Sequence, residues 1–455
     1  MTKHKYIIST ALLLSLLALN AGAQERTLSL EECLSLSHSG NNEVLNSALD
    51  TQIARAQRQE ALSLWFPTVS ASAYGLHAMD PLLRIGVNDI IQGNSDAANN
   101  LRYYINSISS MTGLSTEVNL LQKGFLGSVN VSQPLFAGGR IANGNALAKL
   151  GVKAADVKSN MAVRDNDVTV ALKYWTIISL TEKKKALQQA IDLLCSLEKD
   201  VTSAVEAGLA RESDLMQVKL KKKELETDML KLKSGEKLAK MDLFNYIGLV
   251  FNVLNLDSIV LSDGFDGILP PENYYADEAA VAESLEESKL LDMAVSAKKI
   301  EKKMAIGEAL PEVGIGASLG YGKVVGEPRT NGIAFAMIKI PLSDWGRTAR
   351  RIQRFNYEIS KAENDKSYLG KQLLLKVSKE WIDLQCAWQQ TGIAEDAAAV
   401  ASTLEMQKRE EYAAGLCTVS ELLQCQTELQ TARSSLVDAQ ASYCSALAQW
   451  NSNAR

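Results

Sequence analysis

The sequence predicts a mainly α-helical protein with a small β part, built from two similar repeats of strand, strand, long helix and helix. Proline is scarce, with 8 residues in 455, and the stretches between Pro134 and Pro270 and after Pro341 contain none. Because proline interrupts helices, these stretches allow very long ones. Four short segments outside them alternate apolar with small or polar residues, which is typical of strands.

The first 23 residues have the features of a signal peptide. Lys3 and Lys5 precede an apolar run at 6–19, and an Ala-Gly-Ala tripeptide at 21–23 supplies the small residues of a cleavage site. We therefore expect an exported chain that begins near Gln24. No cysteine follows that point directly, so we expect no lipid anchor.

Charge and composition disfavour several classes of function. Without Lys3 and Lys5, the 48 basic residues become 46 against 53 acidic ones, a net charge of −7 that disfavours a nucleic-acid partner. The three histidines form no zinc-binding pattern, and the sequence has neither a phosphate-binding glycine loop nor a nucleophile elbow. We expect no metal, no cofactor and no enzymatic activity. Six cysteines without a CxxC pair are too few for a disulfide framework.

The first repeat is predicted at 24–251. Its strands lie at about 68–76 and 127–136, and a long helical hairpin follows at 141–247, with one helix at 141–206 and the other at 212–247. In the first of these helices apolar residues recur every three or four positions, as in a coiled-coil seam, and Arg164 is the exception.

A linker is predicted at 252–277 and the second repeat at 278–455. A helix at 278–309 leads into strands at about 312–322 and 331–342, and a helical hairpin follows at 345–450. Its second helix carries an unbroken seam of three- and four-residue steps from Leu422 to Trp450.

Two pairs of motifs share one offset, which predicts an internal duplication. Gly139 and Gly346, each followed by arginine, are 207 residues apart, as are the Ala-Gly-Leu turns at 207–209 and 414–416. The first pair of strands is separated by about 37 more residues than the second. This insert, near Asp80 to Lys123, is rich in Asn, Ser and Gly, and both an external loop and a fold over the mouth remain open for it.

The strands have the length of tilted membrane strands, about 10 residues. We expect their apolar side chains to face outward and their small or polar side chains inward. Four strands cannot close a barrel, so copies must associate, and two chains would give 8 strands and three would give 12. Aromatic residues fall at the strand–helix junctions, where a membrane-interface belt is expected: Trp65, Phe66, Phe136 and Trp345.

This order of motifs resembles the TolC-like outer-membrane efflux family over nearly the whole mature chain. Gly138-Gly139-Arg140 and Trp345-Gly346-Arg347 open the long helices, and Gly208-Leu209 and Gly415-Leu416 form the tips. The resemblance implies a homotrimer with a 12-stranded outer-membrane β-barrel, surrounded by lipid and continued by a periplasmic α-helical barrel, with 252–277 in an equatorial belt. It also implies a passive exit duct whose tips dock a periplasmic adaptor, coupled indirectly to an inner-membrane transporter.

The resemblance further implies a gate at the tips. Tyr412 matches the constricting tyrosine, Glu421 the first position of an acidic ring, and Asp214 an acid that pairs across the tip. Cys417 stands where a basic residue is expected, and Gln424 stands at the second acidic position. We therefore expect weaker cation selectivity and a looser closed state. Asp214 and Glu421 also fit a plain role as first-turn helix acids.

One alternative from another functional class remains. Long seamed helices also fit a periplasmic coiled-coil scaffold or adhesin that never enters a membrane. The alternating strands and the aromatic residues beside them favour the duct.

Overall fold

The structure, a computed structural model, describes residues 26–454 except 121–122, 253–255, 257 and 324–326. The predicted signal peptide lies outside the described residues. The chain forms two compact units, one from residues up to 54, 152–294 and 362 onward, the other from 55–151 and 295–361. Each unit takes residues from both halves of the chain, so the units do not coincide with the two predicted repeats. The boundaries of the repeats stay a prediction.

The described elements are predominantly helical, as predicted. In chain order they are β1 (Arg26–Leu28), α1 (Leu30–Gly40), α2 (Asn42–Ser63), β2 (Thr68–His77), β3 (Leu83–Gly86), α3 (Val87–Ile90), α4 (Asp96–Thr112), β4 (Glu117–Leu120), β5 (Lys123–Ala137), α5 (Arg140–Glu206), α6 (Glu212–Tyr246), β6 (Ile259–Leu261), a 3-10 turn (Pro271–Tyr274), α7 (Glu278–Ser284), α8 (Glu286–Gly307), β7 (Glu312–Lys323), β8 (Arg329–Lys339), α9 (Arg347–Ala413) and α10 (Val419–Ala454). None of the described helices has the length and apolarity needed to span a bilayer.

The predicted helix at 278–309 is two helices. α7 and α8 are separated by Leu285, whose backbone is extended at φ −53° and ψ 143°. No proline or glycine marks this break in the sequence. The Leu285 side chain is buried in a core cluster with Val281 and Trp381. Burial of that leucine accompanies an interruption of the helix that the helical periodicity of the sequence does not reveal.

The second unit is built on one antiparallel sheet with the order β2-β5-β7-β8. Hydroxyl and amide groups line one face: Thr68 bonds Ser132 at 2.7 Å and Ser72 bonds Ser128 at 2.9 Å between hydroxyl oxygens. Ser318 extends this row by donating to Asn130 at 2.7 Å. Alternation in β2, β5 and β7 therefore places small and polar residues on a common face.

In β8 the predicted inward and outward faces are wrong. The register sets Ile333 opposite Ser318 and Phe335 opposite Gly316, so these two large side chains of β8 lie on the polar face, whereas Ile338 lies opposite Val313 on the apolar face. A Cβ on Gly316 would lie 2.5 Å from the Phe335 ring. The missing side chain at Gly316 makes room for that ring. Because β7 has glycine at such positions, large side chains of β8 can lie on the polar face without a clash.

The insert is a folded segment rather than a plain loop. β3 and β4 form a two-stranded antiparallel pair, and α3 and α4 lie between them in the chain. Ser95 caps the start of α4 by accepting a hydrogen bond from the Ala98 N–H at 3.3 Å. Gly113, in a left-handed conformation at φ 68°, ends it.

The described residues of the first unit form three apolar clusters. The tip cluster joins α5, α6 and α10 and includes Leu194, Val218 and Leu422. A second cluster surrounds the fully buried Tyr174, whose hydroxyl donates to the Leu28 carbonyl at 3.1 Å. In that cluster β1 pairs with β6 in parallel. The third cluster surrounds Trp450 and joins α7, α9 and α10.

The exceptional seam residue Arg164 is explained by an ion pair in the first unit. Its guanidinium donates two hydrogen bonds to the Glu287 carboxylate, at 2.9 and 2.7 Å, and both side chains are largely buried. Burial acts to raise the pKa of Glu287, but the hydrogen bonds from Arg164, a backbone hydrogen bond and the charge of Arg164 together lower that pKa to about 2. The charge of Lys376 adds to the lowering.

We expect Glu287→Gln to lower the free energy of unfolding at neutral pH by about 3 kcal/mol, because the largely buried Arg164 would keep its charge without its buried carboxylate partner. Since the pKa of Glu287 is lower in the folded than in the unfolded chain, its contribution is complete above about pH 4.5. It is lost as the pH falls toward 2. Denaturant unfolding between pH 2 and 7 tests this.

Asp165→Asn is the matched control for Glu287→Gln. Asp165 also bonds Arg164, at 2.9 Å, but its side chain is exposed, so we expect a loss below about 1 kcal/mol. Equal losses for the two variants, or an unchanged pH dependence in Glu287→Gln, would contradict this account.

Candidate functional site

The two helix tips of the first unit have the same backbone geometry. Gly208 and Gly415 adopt left-handed conformations, with φ of 73° and 74°. The N–H of Leu209 donates to the Ala204 carbonyl at 2.8 Å, and the N–H of Leu416 donates to the Glu411 carbonyl at the same distance. These bonds form a Schellman-type end at each long helix, which only a residue tolerant of positive φ allows.

Each tip exposes one leucine. Leu209 is 85% exposed and Leu416 is 77% exposed. The turn hydrogen bonds fix the backbone of each leucine, so their side chains are held outward at the ends of the two hairpins. The assignment of Gly208, Leu209, Gly415 and Leu416 as adaptor-docking residues stays a prediction.

The predicted gate acids occupy equivalent helix starts. Glu421 accepts a hydrogen bond from the Thr418 N–H at 2.9 Å, while the Thr418 hydroxyl accepts from the Glu421 N–H at 3.2 Å, which makes a capping box. Asp214 accepts from the Arg211 N–H at 3.4 Å. Both acids therefore have the capping role that the sequence left open. Capping does not exclude a role in a ring, because the carboxylate of Glu421 remains exposed.

Tyr412 lies beside the tip cluster and within the electrostatic influence of Asp214. Its ring packs partly buried against that cluster. Burial, together with the charges of Asp214 and Asp200, raises the pKa of the Tyr412 hydroxyl. The fold thus brings two of the predicted gate residues, Tyr412 and Asp214, into one electrostatic neighbourhood. The hydroxyl stays protonated and able to donate a hydrogen bond.

The two positions that depart from the family pattern each have a charged neighbour that sequence reasoning missed. The Cys417 thiol donates to the Lys408 carbonyl at 3.3 Å, and the Lys408 ammonium pairs with Glu411 at 2.5 Å. Gln424 donates to the Glu428 carboxylate at 3.1 Å. A basic residue nine positions before Cys417 and an acidic residue four positions after Gln424 are therefore bonded to the two departing positions. Helical spacing from Gln424 to Glu428 was the available signal.

The predicted belt aromatics lie at the junctions of strands and helices in the second unit and are all exposed. Trp65 and Phe66 lie between α2 and β2, and Phe136 lies at the end of β5. Trp345 lies between β8 and α9 with a positive φ of 54°. Their positions and exposure suit a membrane interface. Their membrane role stays a prediction.

The second half of the chain matches a known protein family. Residues 293–450 match the family described as outer membrane efflux protein. This segment includes β7, β8, α9 and most of α10. No curated protein sequence gives a significant match to the chain.

Solved structures resemble nearly the whole chain. The outer membrane channel CmeC of Campylobacter jejuni covers 93% of this chain, which covers 85% of it, at 13% identity and a TM-score of 0.73. For VceC, an outer membrane protein of Vibrio cholerae, the coverages are 93% and 95%, at 14% identity and 0.72. For the open state of the MtrE outer membrane channel of Neisseria gonorrhoeae they are 95% and 92%, at 13% and 0.69. The TolC-like resemblance is confirmed.

At these identities the likeness establishes the fold. The TolC-like fold places the strands and long helices of this chain in the order predicted from its sequence. It also agrees with the predicted fold class, mainly helical with a small β part.

Proposed function

We propose that this chain is the outer-membrane duct of a tripartite efflux or secretion system and forms a homotrimer. The observation that carries the proposal is the channel fold over more than nine-tenths of the chain, joined to the family match at 293–450. In this proposal the protein is a passive passage and not an enzyme. It lies in the outer membrane and extends into the periplasm.

The edges of the sheet support assembly of several copies. Among the described residues, β2 and β8 each pair on one side only. In a bilayer the free N–H and C=O groups of such edges would each cost several kcal/mol, so pairing of β8 with β2 of the next copy stabilises a closed barrel. Three copies supply 12 strands.

Exposed apolar side chains on the same sheet support a membrane location. Val69, Leu319 and Ile338 are all exposed on one chain. A water-soluble scaffold would leave these side chains in water, whereas a barrel places them against lipid. The exposed leucines of the tips favour docking of a periplasmic adaptor, through which the duct would be coupled to an inner-membrane transporter.

Cell fractionation and mass measurement test the proposal. We expect the protein in the outer-membrane fraction, extracted only by detergent, as a complex with the mass of three chains. The purified complex should form ion-conducting channels in planar bilayers. Recovery as a soluble species without detergent would contradict the duct and support the scaffold.

We expect Glu421→Gln to reduce the cation preference of the reconstituted channel, because it removes one carboxylate per chain at the tip. Glutamine can still complete the capping box with Thr418, so the helix start is retained. Reversal potentials in a salt gradient measure the change, which should be a shift toward zero.

Gln424→Glu provides the reciprocal variant. It adds one carboxylate per chain at the second expected ring position and should increase cation preference. An unchanged reversal potential in Glu421→Gln would remove Glu421 from the conduction path, while leaving the duct itself intact.

A further inference from the structure

The insert helix α4 presents an apolar seam that nothing in its own chain covers among the described residues. Five side chains in steps of four and three residues form this seam, and all five are exposed, the four large ones at 51–88%. They are Ala97, Leu101, Tyr104, Ile108 and Met111. Such stepping is the pattern of a narrow helix–helix contact.

The helix itself is well fixed within the insert. Its Arg102 guanidinium donates to the carbonyls of Ile91 and Gly93, both at 2.7 Å, and to the Asn99 side chain at 3.1 Å. Because α4 is fixed in place while its apolar seam stays in water, burial of the seam against a partner would be favourable.

The charge of α4 favours protein over lipid as that partner. Asp96 and Arg102 are its only charged residues, and Arg102 is engaged within the insert. The remaining polar residues are asparagine, serine and threonine. Helices that lie on anionic lipid surfaces carry rows of lysine and arginine beside the apolar face, and α4 has only Arg102.

The place of the insert in the sheet favours another copy of the same chain. The insert leaves β2 after His77 and enters β5 at Lys123, whereas the opposite ends of these strands join α2 and α5. The insert thus lies at the sheet end remote from the long helices. Its first strand, β2, is also the edge strand that would pair with the next copy.

We propose that α4 packs through this seam against α4 of neighbouring copies and narrows the outer mouth of the duct. The proposal rests on the homotrimer proposed above. A short seam is weak alone, but tethering to one barrel raises the effective concentration of the three helices to the millimolar range. Three neutral helices meeting near the symmetry axis would cover one another's seams and constrict the opening.

Disulfide trapping in the full-length trimer tests the proposal. We expect Ile108→Cys, on the seam, to give a dimer band on a denaturing gel after mild oxidation. At most two of the three chains can pair in this way. The control is Asn106→Cys on the opposite face of α4, and the wild type, with six free cysteines, reports background.

Conductance provides the second readout. We expect the double variant Leu101→Asn and Ile108→Asn to raise single-channel conductance, while Asn106→Ala leaves it unchanged. Both leucine and isoleucine are exposed in the single chain, so these substitutions leave its core intact.

The outcomes separate this proposal from the duct. A trimer without Ile108→Cys crosslinks, or with equal crosslinking at Asn106→Cys, would overturn the seam contact and leave the duct standing. Quenching of a fluorophore at Ile108→Cys by spin-labelled lipid would also overturn it. Loss of the trimer in the wild-type protein would instead overturn the proposed function.

Discussion

Replacing Gly138 with alanine is expected to destabilise the protein by about 3–5 kcal/mol. A Cβ there would lie 1.9 Å from the Gly307 carbonyl oxygen, and Gly138 also adopts a positive φ of 61°. Backbone meets backbone at this point, so no side chain can move aside. Denaturant unfolding of the detergent-solubilised protein, followed by circular dichroism, measures the loss.

Gly139→Ala is the matched control for this contact. Gly139 also has a positive φ, 75°, but its nearest neighbour is the Asn143 side chain at 3.6 Å. Its substitution should therefore cost only the backbone strain, about 1–2 kcal/mol. Gly307→Ala should behave like Gly138→Ala, because its own Cβ would lie 2.3 Å from the Gly138 oxygen. Equal losses at Gly138 and Gly139 would show that the contact contributes little.

Trp450→Ala should lower the free energy of unfolding by about 3–5 kcal/mol, because it leaves a large cavity in the third cluster of the first unit. Trp450 is fully buried, and its ring centroid lies 4.9 Å from that of Trp381. Its indole N–H donates to the Tyr274 carbonyl at 2.8 Å. The tryptophan thus joins α9 and α10 to the chain before α7.

Trp450→Phe separates packing from hydrogen bonding. The phenyl ring keeps most of the apolar contact but leaves the Tyr274 carbonyl without its donor, so we expect a loss of about 1–3 kcal/mol. Thermal unfolding of both variants beside the wild type gives the comparison. If Trp450→Ala lost no more than Trp450→Phe, the cluster would not depend on the ring.

The long helices and the four main strands could be predicted because their signals are local and repeated. Seam spacing sustained from Leu422 to Trp450 specifies a helix whatever surrounds it. Features that depend on tertiary contacts could not be predicted from local sequence patterns. The break at Leu285 accompanies burial of one side chain, and the facing of β8 depends on the room above Gly316.

Two further helices had signals that were not used. Ser29 and Glu32 form a capping box at the start of α1, and this spacing is visible in the sequence. Ser95 and Gly113 likewise bound α4, which composition alone suggested was a loop. The many asparagine and serine residues of such a helix suggest a loop, because composition does not show the spacing of the few apolar residues that form its seam.

The candidate gate could be located but not completed from the sequence. The Gly-Leu turns mark the tips, and the charge of Asp214 acts on the Tyr412 hydroxyl, while the gate roles of both residues stay predictions. Lys408 and Glu428 were missed because their relevance depends on hydrogen bonds to Cys417 and Gln424, which come only from the packed helices. Which of these groups face the passage depends on the assembly of several copies.

The two long helices also limit how this chain can change its length. α5 and α9 each contain 67 residues, and their first and last residues are offset by the same 207 positions. A single inserted residue would turn every later side chain of a helix by about 100° and move its seam out of contact. Viable insertions and deletions should therefore come in multiples of seven and in both helices together, which makes heptads the natural unit for engineering a longer or shorter protein.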